Sequence, residues 1–222
     1  MDRWYKKWQG IGLLILATIF LALVFTALFY VSDIVKASLK NNHQENQNKI
    51  NRLISGEEDA NYWMGSADPK VTIVEFGDYS CPYCQDFFPK IREIGLKYKK
   101  DVKIIFRDYP VVNDYAANLA LGARCAGEQG LFWLMHDKLF LNQGITGKEE
   151  ILELAKQAGA NEDKFVHCFD NKTYLREIER DLSDGNALDI PGTPTIFVNG
   201  ERFSGNVPYD YLIQVINQKI SE

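Results

Sequence analysis

The tetrapeptide CPYC (81–84) is the most informative motif of the sequence. It follows the run VTIVEF (71–76), whose apolar and β-branched residues predict a short buried strand. After it, apolar residues recur at helical spacing through positions 84–98, which predicts an amphipathic helix. The motif therefore stands where a strand ends and a helix begins.

The position of the motif determines what its two cysteines can do. Unpaired backbone N–H groups and the helix dipole stabilise a thiolate at a helix N-terminus, so we expect a lowered pKa for Cys81. Pro82 suits the first helical position, where no N–H is needed. Cys81 is then an exposed attacking thiolate, and Cys84, one turn into the helix, is the resolving thiol.

A CxxC motif is also half of a zinc site, which would need two further ligands at metal spacing. The remaining candidate ligands form no second CxxC or HxxxH motif; they are Cys125, Cys168, His136 and His167. We therefore predict that the chain binds no metal.

The elements on either side of the motif complete an α/β pattern. The run VKIIF (102–106) predicts a second strand, and a strand–helix–strand unit places its two strands parallel in one sheet. Residues 115–182 predict a series of helices. The run TIFV (195–198) predicts another strand, and the Asn-Gly pair that follows it is a strong hairpin signal. A helix after Pro208 closes the chain.

A proline directly precedes the strand at 195–198. An X-Pro bond in a tight, buried turn is the usual place for a cis peptide. The sequence alone fits a cis or a trans bond at Thr193-Pro194 equally well.

Together these motifs resemble the thioredoxin superfamily. A strand that ends at a CPYC-headed helix and is followed much later by GTPTIFVNG (192–200) is typical of that superfamily, and a helical insertion at about 113–187 is similar to its DsbA-like branch. The resemblance covers about residues 62–220. It implies a thioredoxin-like α/β fold with a helical insertion, and thiol:disulfide exchange with no cofactor beyond the redox-active cysteines.

The resemblance also implies roles for particular residues. Cys81 matches the family nucleophile, and Cys84 matches its buried partner. Pro194 matches the cis-proline that faces them, and Thr193 matches the residue whose backbone pairs with an extended substrate. Glu75 matches the buried acid that assists proton transfer to the inner cysteine. The alternative for Glu75 is a solvated carboxylate at a strand edge, although a charge inside VTIVEF is costly without a role.

The residues between the two cysteines differ from those of DsbA itself. DsbA has a histidine that helps to stabilise the thiolate, where this chain has Tyr83, and the CPYC tetrapeptide is shared with glutaredoxins. The oxidising strength of DsbA is therefore not transferred to this chain. We assign Pro82 and Tyr83, together with Thr193, to the substrate-contacting surface.

The other two cysteines, Cys125 and Cys168, both fall in the helical insertion. Two otherwise unpaired thiols in an extracytoplasmic domain favour a structural disulfide, and similar non-catalytic pairs are seen in some DsbA-like proteins. The alternative is two separate buried thiols that act as small hydrophobic residues.

Composition excludes several classes of protein. Of the 222 residues, 46% are hydrophobic and 13% are aromatic, which supplies too much apolar surface for a disordered chain. A formal net charge of −5 argues against nucleic acid as the main partner, because phosphate binding needs a basic face.

The N-terminal region predicts a membrane anchor at residues 11–32, which contain no charged residue. About 20 such residues span a bilayer core. Three basic residues precede the run, so the positive-inside rule puts residues 1–10 in the cytoplasm and the rest of the chain outside. The alternative is a cleaved signal peptide, with VKA (35–37) as a mediocre cleavage site, and a secreted domain.

The expected organisation continues with a polar stalk at 33–61 and a DsbA-like thioredoxin domain at 62–222. The expected function is that of a membrane-anchored extracytoplasmic oxidoreductase that promotes disulfide formation in reduced or unfolded exported proteins. A quinone-linked membrane partner would reoxidise it, as the family implies. The alternatives are a reductase or isomerase of the same fold and, from a different class, a non-catalytic peptide-binding protein or chaperone.

Overall fold

The computed structural model divides the chain into two compact units, Met1–Lys49 and Ile50–Glu222. It describes residues 21, 23–41, 44, 48, 50–51 and 62–222. The described residues of the first unit are helical. Residues 11–20 and 22 of the predicted anchor lie outside the described residues, as does much of the predicted stalk. In the parts of the chain that are described, no helix is both long enough and apolar enough to cross a membrane.

The second unit is an α/β structure. Its strands are β1 (Tyr62–Gly65), β2 (Val71–Gly77), β3 (Val102–Asp108), β4 (Thr195–Val198) and β5 (Glu201–Ser204). Its helices are α1 (Pro82–Lys97), α2 (Ala116–Gly127), α3 (Phe132–Leu141), α4 (Lys148–Gln157), α5 (Glu162–Asp170), α6 (Leu175–Ala187) and α7 (Tyr209–Ser221).

The strands form one mixed sheet in the order β1-β3-β2-β4-β5. Strands β2 and β3 are parallel, as the strand–helix–strand pattern predicts, and the other three pairs are antiparallel. The predicted hairpin joins β4 to β5, with positive φ at Asn199 and Gly200. The first strand, β1, was not predicted. It is a four-residue edge strand that pairs with β3, and its own sequence carries no clear alternation.

Helix α1 packs on one face of the sheet because its apolar residues share one side. Phe87, Ile91 and Ile94 are fully buried in a cluster with Ile73 of β2 and Ile104 of β3. Burying a side chain of this kind contributes about 1.5–3 kcal/mol relative to leaving it exposed. Helix α7 packs into the same cluster. This packing fixes the start of α1, and with it the CPYC motif, at the end of β2.

The helical insertion, α2 to α6, has a hydrophobic core of its own. That core also takes in Cys81, Cys84 and Phe88 at the start of α1. The insertion therefore packs directly against the motif.

A buried network of charges ties the insertion to the sheet. Arg124 of α2 donates from Nε to Asp108 of β3 at 2.5 Å and from Nη2 to Asp181 of α6. Arg107 of β3 donates to Asp181 at 2.6 Å and also to Asp184. Removing one member of such a network leaves an uncompensated buried charge and typically costs about 3–5 kcal/mol.

Candidate active site

The CPYC motif begins helix α1, as predicted. Cys81 is the N-cap residue with extended backbone angles, and Pro82 is the first helical residue. The carbonyl of Cys81 accepts the first helical hydrogen bond, from the N–H of Gln85 at 3.1 Å. The N–H of Cys81 donates back to the carbonyl of Asp78 at 3.0 Å, which closes the turn between β2 and the helix.

The Cys81 thiol faces the loop that contains Thr193. The bond between Thr193 and Pro194 is cis, and the Cys81 Sγ donates to the Thr193 carbonyl at 3.2 Å. The residue is only 4% exposed, so the prediction of an openly exposed thiol was wrong. The sequence could not show that a segment about 110 residues away lies over the sulfur.

The pKa of Cys81 is lowered from 9.0 to about 6. The main cause is the hydrogen bond from the Cys84 thiol, which stabilises the thiolate. The Thr193 side chain and the backbone N–H groups of Cys84 and Tyr83 act in the same direction, while burial opposes them. Cys81 is thus largely a thiolate at neutral pH, as its place at a helix N-terminus predicts.

Cys84 has the opposite character. It is fully buried, and burial raises the pKa of its thiol well above the usual value. The hydrogen bond that it gives to Cys81 raises it further, and so does the carboxyl group of Glu75 whenever that group is ionised. The two cysteines are separate thiols in this structure. One is therefore prepared to react as a thiolate, and the other is held as a thiol.

Glu75 of β2 is buried rather than solvated. It is 1% exposed, and its Oε1 atom has no hydrogen-bond partner among the described residues. Burial raises the pKa of its carboxyl group from 4.5 to about 8. An acid in this state holds its proton at neutral pH, next to a cysteine whose charge it influences.

The remaining predicted residues fall into two groups. Pro82 and Tyr83 lie on the surface beside Cys81, and Tyr83 is 65% exposed. Cys125 of α2 and Cys168 of α5 are joined by a disulfide with a Cα–Cα distance of 5.7 Å, and both are buried in the core of the insertion.

Among the described residues, no cluster of His, Cys, Asp or Glu could hold a metal ion.

Two residues beside the reactive turn were missed by the sequence analysis. Asp78 and Gln143 bind the backbone around Cys81 through their side chains. Asp78 follows the predicted strand directly, so its position was visible but its partners were not. Gln143 lies in the insertion, and no local signal distinguishes it from other polar loop residues.

Comparison with known proteins agrees with this geometry. The family model described as thioredoxin matches residues 57–218. The chain belongs to the thioredoxin family. This match contains the CPYC motif, Glu75, the cis-proline turn and the helical insertion.

Structures of thioredoxin-family proteins resemble this one closely. The thiol-disulfide exchange protein alpha-DsbA2 of Wolbachia pipientis has a TM-score of 0.71 and 23% identity, over 80% of this chain and 97% of that protein. BdbD of Bacillus subtilis, in its oxidised form, has a TM-score of 0.65 and 28% identity, over 73% and 94%. The structural neighbours are thus DsbA-like members of the family.

Curated relatives are of two kinds. Disulfide bond formation protein D of Bacillus subtilis is 30% identical over 71% of this chain and 76% of its own length. A Na(+)/H(+) antiporter NhaA 1 of Salinispora arenicola is 34% identical over 71% of this chain but only 24% of its own length. The chain therefore spans about a quarter of the antiporter relatives that it matches.

Proposed function

We propose that this chain is a thiol:disulfide oxidoreductase that oxidises exported proteins through Cys81 and Cys84. The observation that carries the proposal is the opposed chemistry of the two cysteines, a thiolate-forming Cys81 and a buried, protonated Cys84 beside a neutral Glu75. A non-catalytic peptide-binding protein has no need of this combination. The names of the Bacillus subtilis and Wolbachia relatives point the same way.

The reaction starts from the Cys81–Cys84 disulfide. A substrate thiolate attacks the Cys81 sulfur, the bond between the two cysteines breaks, and Cys84 leaves as a thiolate. Glu75 gives its proton to Cys84, which then stays neutral in its buried position. A second substrate thiolate attacks the substrate sulfur of the mixed disulfide and releases Cys81 as a thiolate. The substrate is oxidised by two electrons, and the pair of cysteines is reduced.

The lowered pKa of Cys81 supports the oxidising direction of exchange. A thiol with a lowered pKa is a better leaving group, and its thiolate stabilises the reduced form, which makes the disulfide more oxidising. The pKa of Cys81, at about 6, favours oxidation of substrates. Thr193 offers backbone groups next to the Cys81 sulfur, where an extended substrate would pair, and Pro82 and Tyr83 flank it.

The proposed location is the outer face of a cell membrane. The uncharged residues 11–32, with basic residues before them, support an anchor whose N-terminus is cytoplasmic. The disulfide between Cys125 and Cys168 is in keeping with an oxidising compartment. A quinone-linked membrane protein would take the two electrons from the reduced cysteines and close the cycle.

The test is to trap the redox state of Cys81 and Cys84 in cells with a thiol alkylating agent. The proposal predicts that both are oxidised at steady state and that Cys81→Ser abolishes disulfide formation in exported substrates. If both cysteines are reduced at steady state, the protein is instead a reductase or an isomerase. If the Cys81→Ser variant keeps full function in cells, the protein is instead a non-catalytic peptide-binding protein.

A further inference from the structure

The turn Tyr79-Ser80-Cys81 leads into helix α1. The carboxylate of Asp78 accepts a hydrogen bond from an N–H group of this turn. Asp78 is 1% exposed, and its Oδ1 atom accepts from the Ser80 N–H at 2.8 Å and from the Ser80 hydroxyl at 2.6 Å. Its Oδ2 atom accepts from the N–H groups of Val111 and Val112, both at 2.8 Å. Asp78 thus ties the turn to the loop after β3 through four hydrogen bonds, each strengthened by its charge.

A side chain from the helical insertion binds the carbonyl groups of the same turn. Gln143 Nε2 donates to the Tyr79 carbonyl at 2.9 Å and to the Cys81 carbonyl at 2.8 Å. Both partners are acceptors, so only the NH₂ group of the amide fits there. Gln143 follows α3 and is 62 residues from Cys81 in sequence.

These contacts affect the reactive sulfur because they fix the position of the backbone around it. The N–H groups of Tyr83 and Cys84 stabilise the Cys81 thiolate, and their direction depends on how the turn enters the helix. Groups that stabilise a charge act best when their own positions are fixed by surrounding contacts. The turn is fixed from both sides, by acceptors on Asp78 and by donors on Gln143.

We propose that Asp78 and Gln143 are positioning residues, which together hold the turn so that the N–H groups of Tyr83 and Cys84 point at the Cys81 sulfur. The helical insertion then packs against the active site and also contributes a positioning residue, Gln143, to it. The proposal deepens the proposed function and rests on it for its biological meaning. Its physical content concerns only the reactivity of Cys81 in the reduced protein.

The first test replaces Gln143 with methionine, which keeps the length of the side chain and removes both donated hydrogen bonds. We expect the pH midpoint of Cys81 alkylation to rise by about half to one pH unit, the equivalent of one hydrogen bond lost or weakened. The matched control is Gln85→Met. Gln85 Nε2 donates to the Phe140 carbonyl at 2.8 Å and so also joins α1 to α3, and among the described residues its side chain donates no hydrogen bond to the turn.

A positioning role predicts that Gln143→Met shifts the midpoint and that Gln85→Met does not, at similar thermal stability. Equal losses of stability in both variants with an unchanged midpoint would mean that Gln143 is only structural, and this would overturn the proposal.

The second test replaces Asp78 with glutamate, which keeps the charge and changes the geometry. We expect the alkylation midpoint to rise as in Gln143→Met. An unchanged midpoint in Asp78→Glu, with a fall in Asp78→Asn, would show that Asp78 acts through its charge alone and would remove it from the proposal. Gln143→Met keeps the proposal testable if either Asp78 variant fails to fold.

Neither test depends on the direction of exchange. If the cellular redox state of the wild type refutes the oxidase function, the alkylation midpoints still decide whether the turn is held in this way. If the midpoints do not move, the oxidase function stands unaffected.

Discussion

The chain contains two pairs of cysteines whose surroundings give them opposite properties. Cys81 and Cys84 stand three positions apart at a helix N-terminus, where hydrogen bonds stabilise one thiolate and burial keeps the other thiol neutral. Cys125 and Cys168 are 43 positions apart on two helices and are bonded inside the core of the insertion. All four residues are buried, so burial alone does not make a cysteine reactive; Cys81 differs from the other three in its place at a helix terminus among hydrogen-bond donors.

The largest expected effect is on the reactive pair. Cys81→Ser removes the thiolate of that pair, so we expect disulfide exchange with a reduced peptide to fall to the uncatalysed rate. At pH 5, where the Cys81 thiol is largely protonated in both the folded and the unfolded state, its unfolding free energy should stay close to that of the reduced wild type, because serine is of similar size. Exchange at an appreciable rate in Cys81→Ser would show that Cys84 can act alone and would break the comparison.

Replacing the disulfide-bonded pair, Cys125 and Cys168, should lower stability and leave exchange intact. The double substitution Cys125→Ser/Cys168→Ser removes a cross-link that closes a loop of 43 residues, and we expect a loss of about 2–4 kcal/mol in unfolding free energy. Exchange by the folded protein should remain. Chemical denaturation and a peptide oxidation assay, run on the same sample, separate the two effects. A stable double variant without activity would mean that this disulfide takes part in the redox reaction.

Glu75 lies beside the reactive pair, so its replacement should change exchange at that pair and leave the Cys125–Cys168 disulfide intact. The pKa of its carboxyl is raised from 4.5 to about 8 in the folded protein. Below pH 4.5 it is protonated in both the folded and the unfolded state and costs nothing. As the pH rises toward 8, the unfolded chain releases the proton and the folded protein does not, so stability falls.

We therefore expect Glu75→Gln to stabilise the protein by about 3 kcal/mol at pH 7 and by nothing at pH 4. Denaturant unfolding of both proteins at the two pH values measures this difference. Exchange should become slower, because Cys84 loses its proton donor. A variant that is less stable than the wild type at pH 7 would mean that Glu75 is ionised in the fold.

The features that could be predicted from the sequence depend on neighbours along the chain. The helix start at CPYC needs only a strand end, a proline and the apolar helical spacing that follows. The β4–β5 hairpin needs only Asn199 and Gly200, which adopt the positive φ that such a turn requires.

The features that escaped prediction depend on distant partners. The exposure of Cys81 is set by the Thr193 loop, and the carbonyl side of its turn is held by Gln143. Strand β1 exists because β3 offers an edge to pair with. Local residue preference carries no information on such contacts, since the partner is chosen by the completed fold.

The two cysteines of the motif differ in charge, since Cys81 reacts as a thiolate while Cys84 is held as a thiol. The most direct test is alkylation of the reduced protein across a range of pH, with mass spectrometry to identify the modified cysteine. We expect modification of Cys81 with a midpoint near pH 6, and almost none of Cys84 at neutral pH. Modification of Cys84 before Cys81, or a Cys81 midpoint at the unperturbed value of about 8.5, would contradict it.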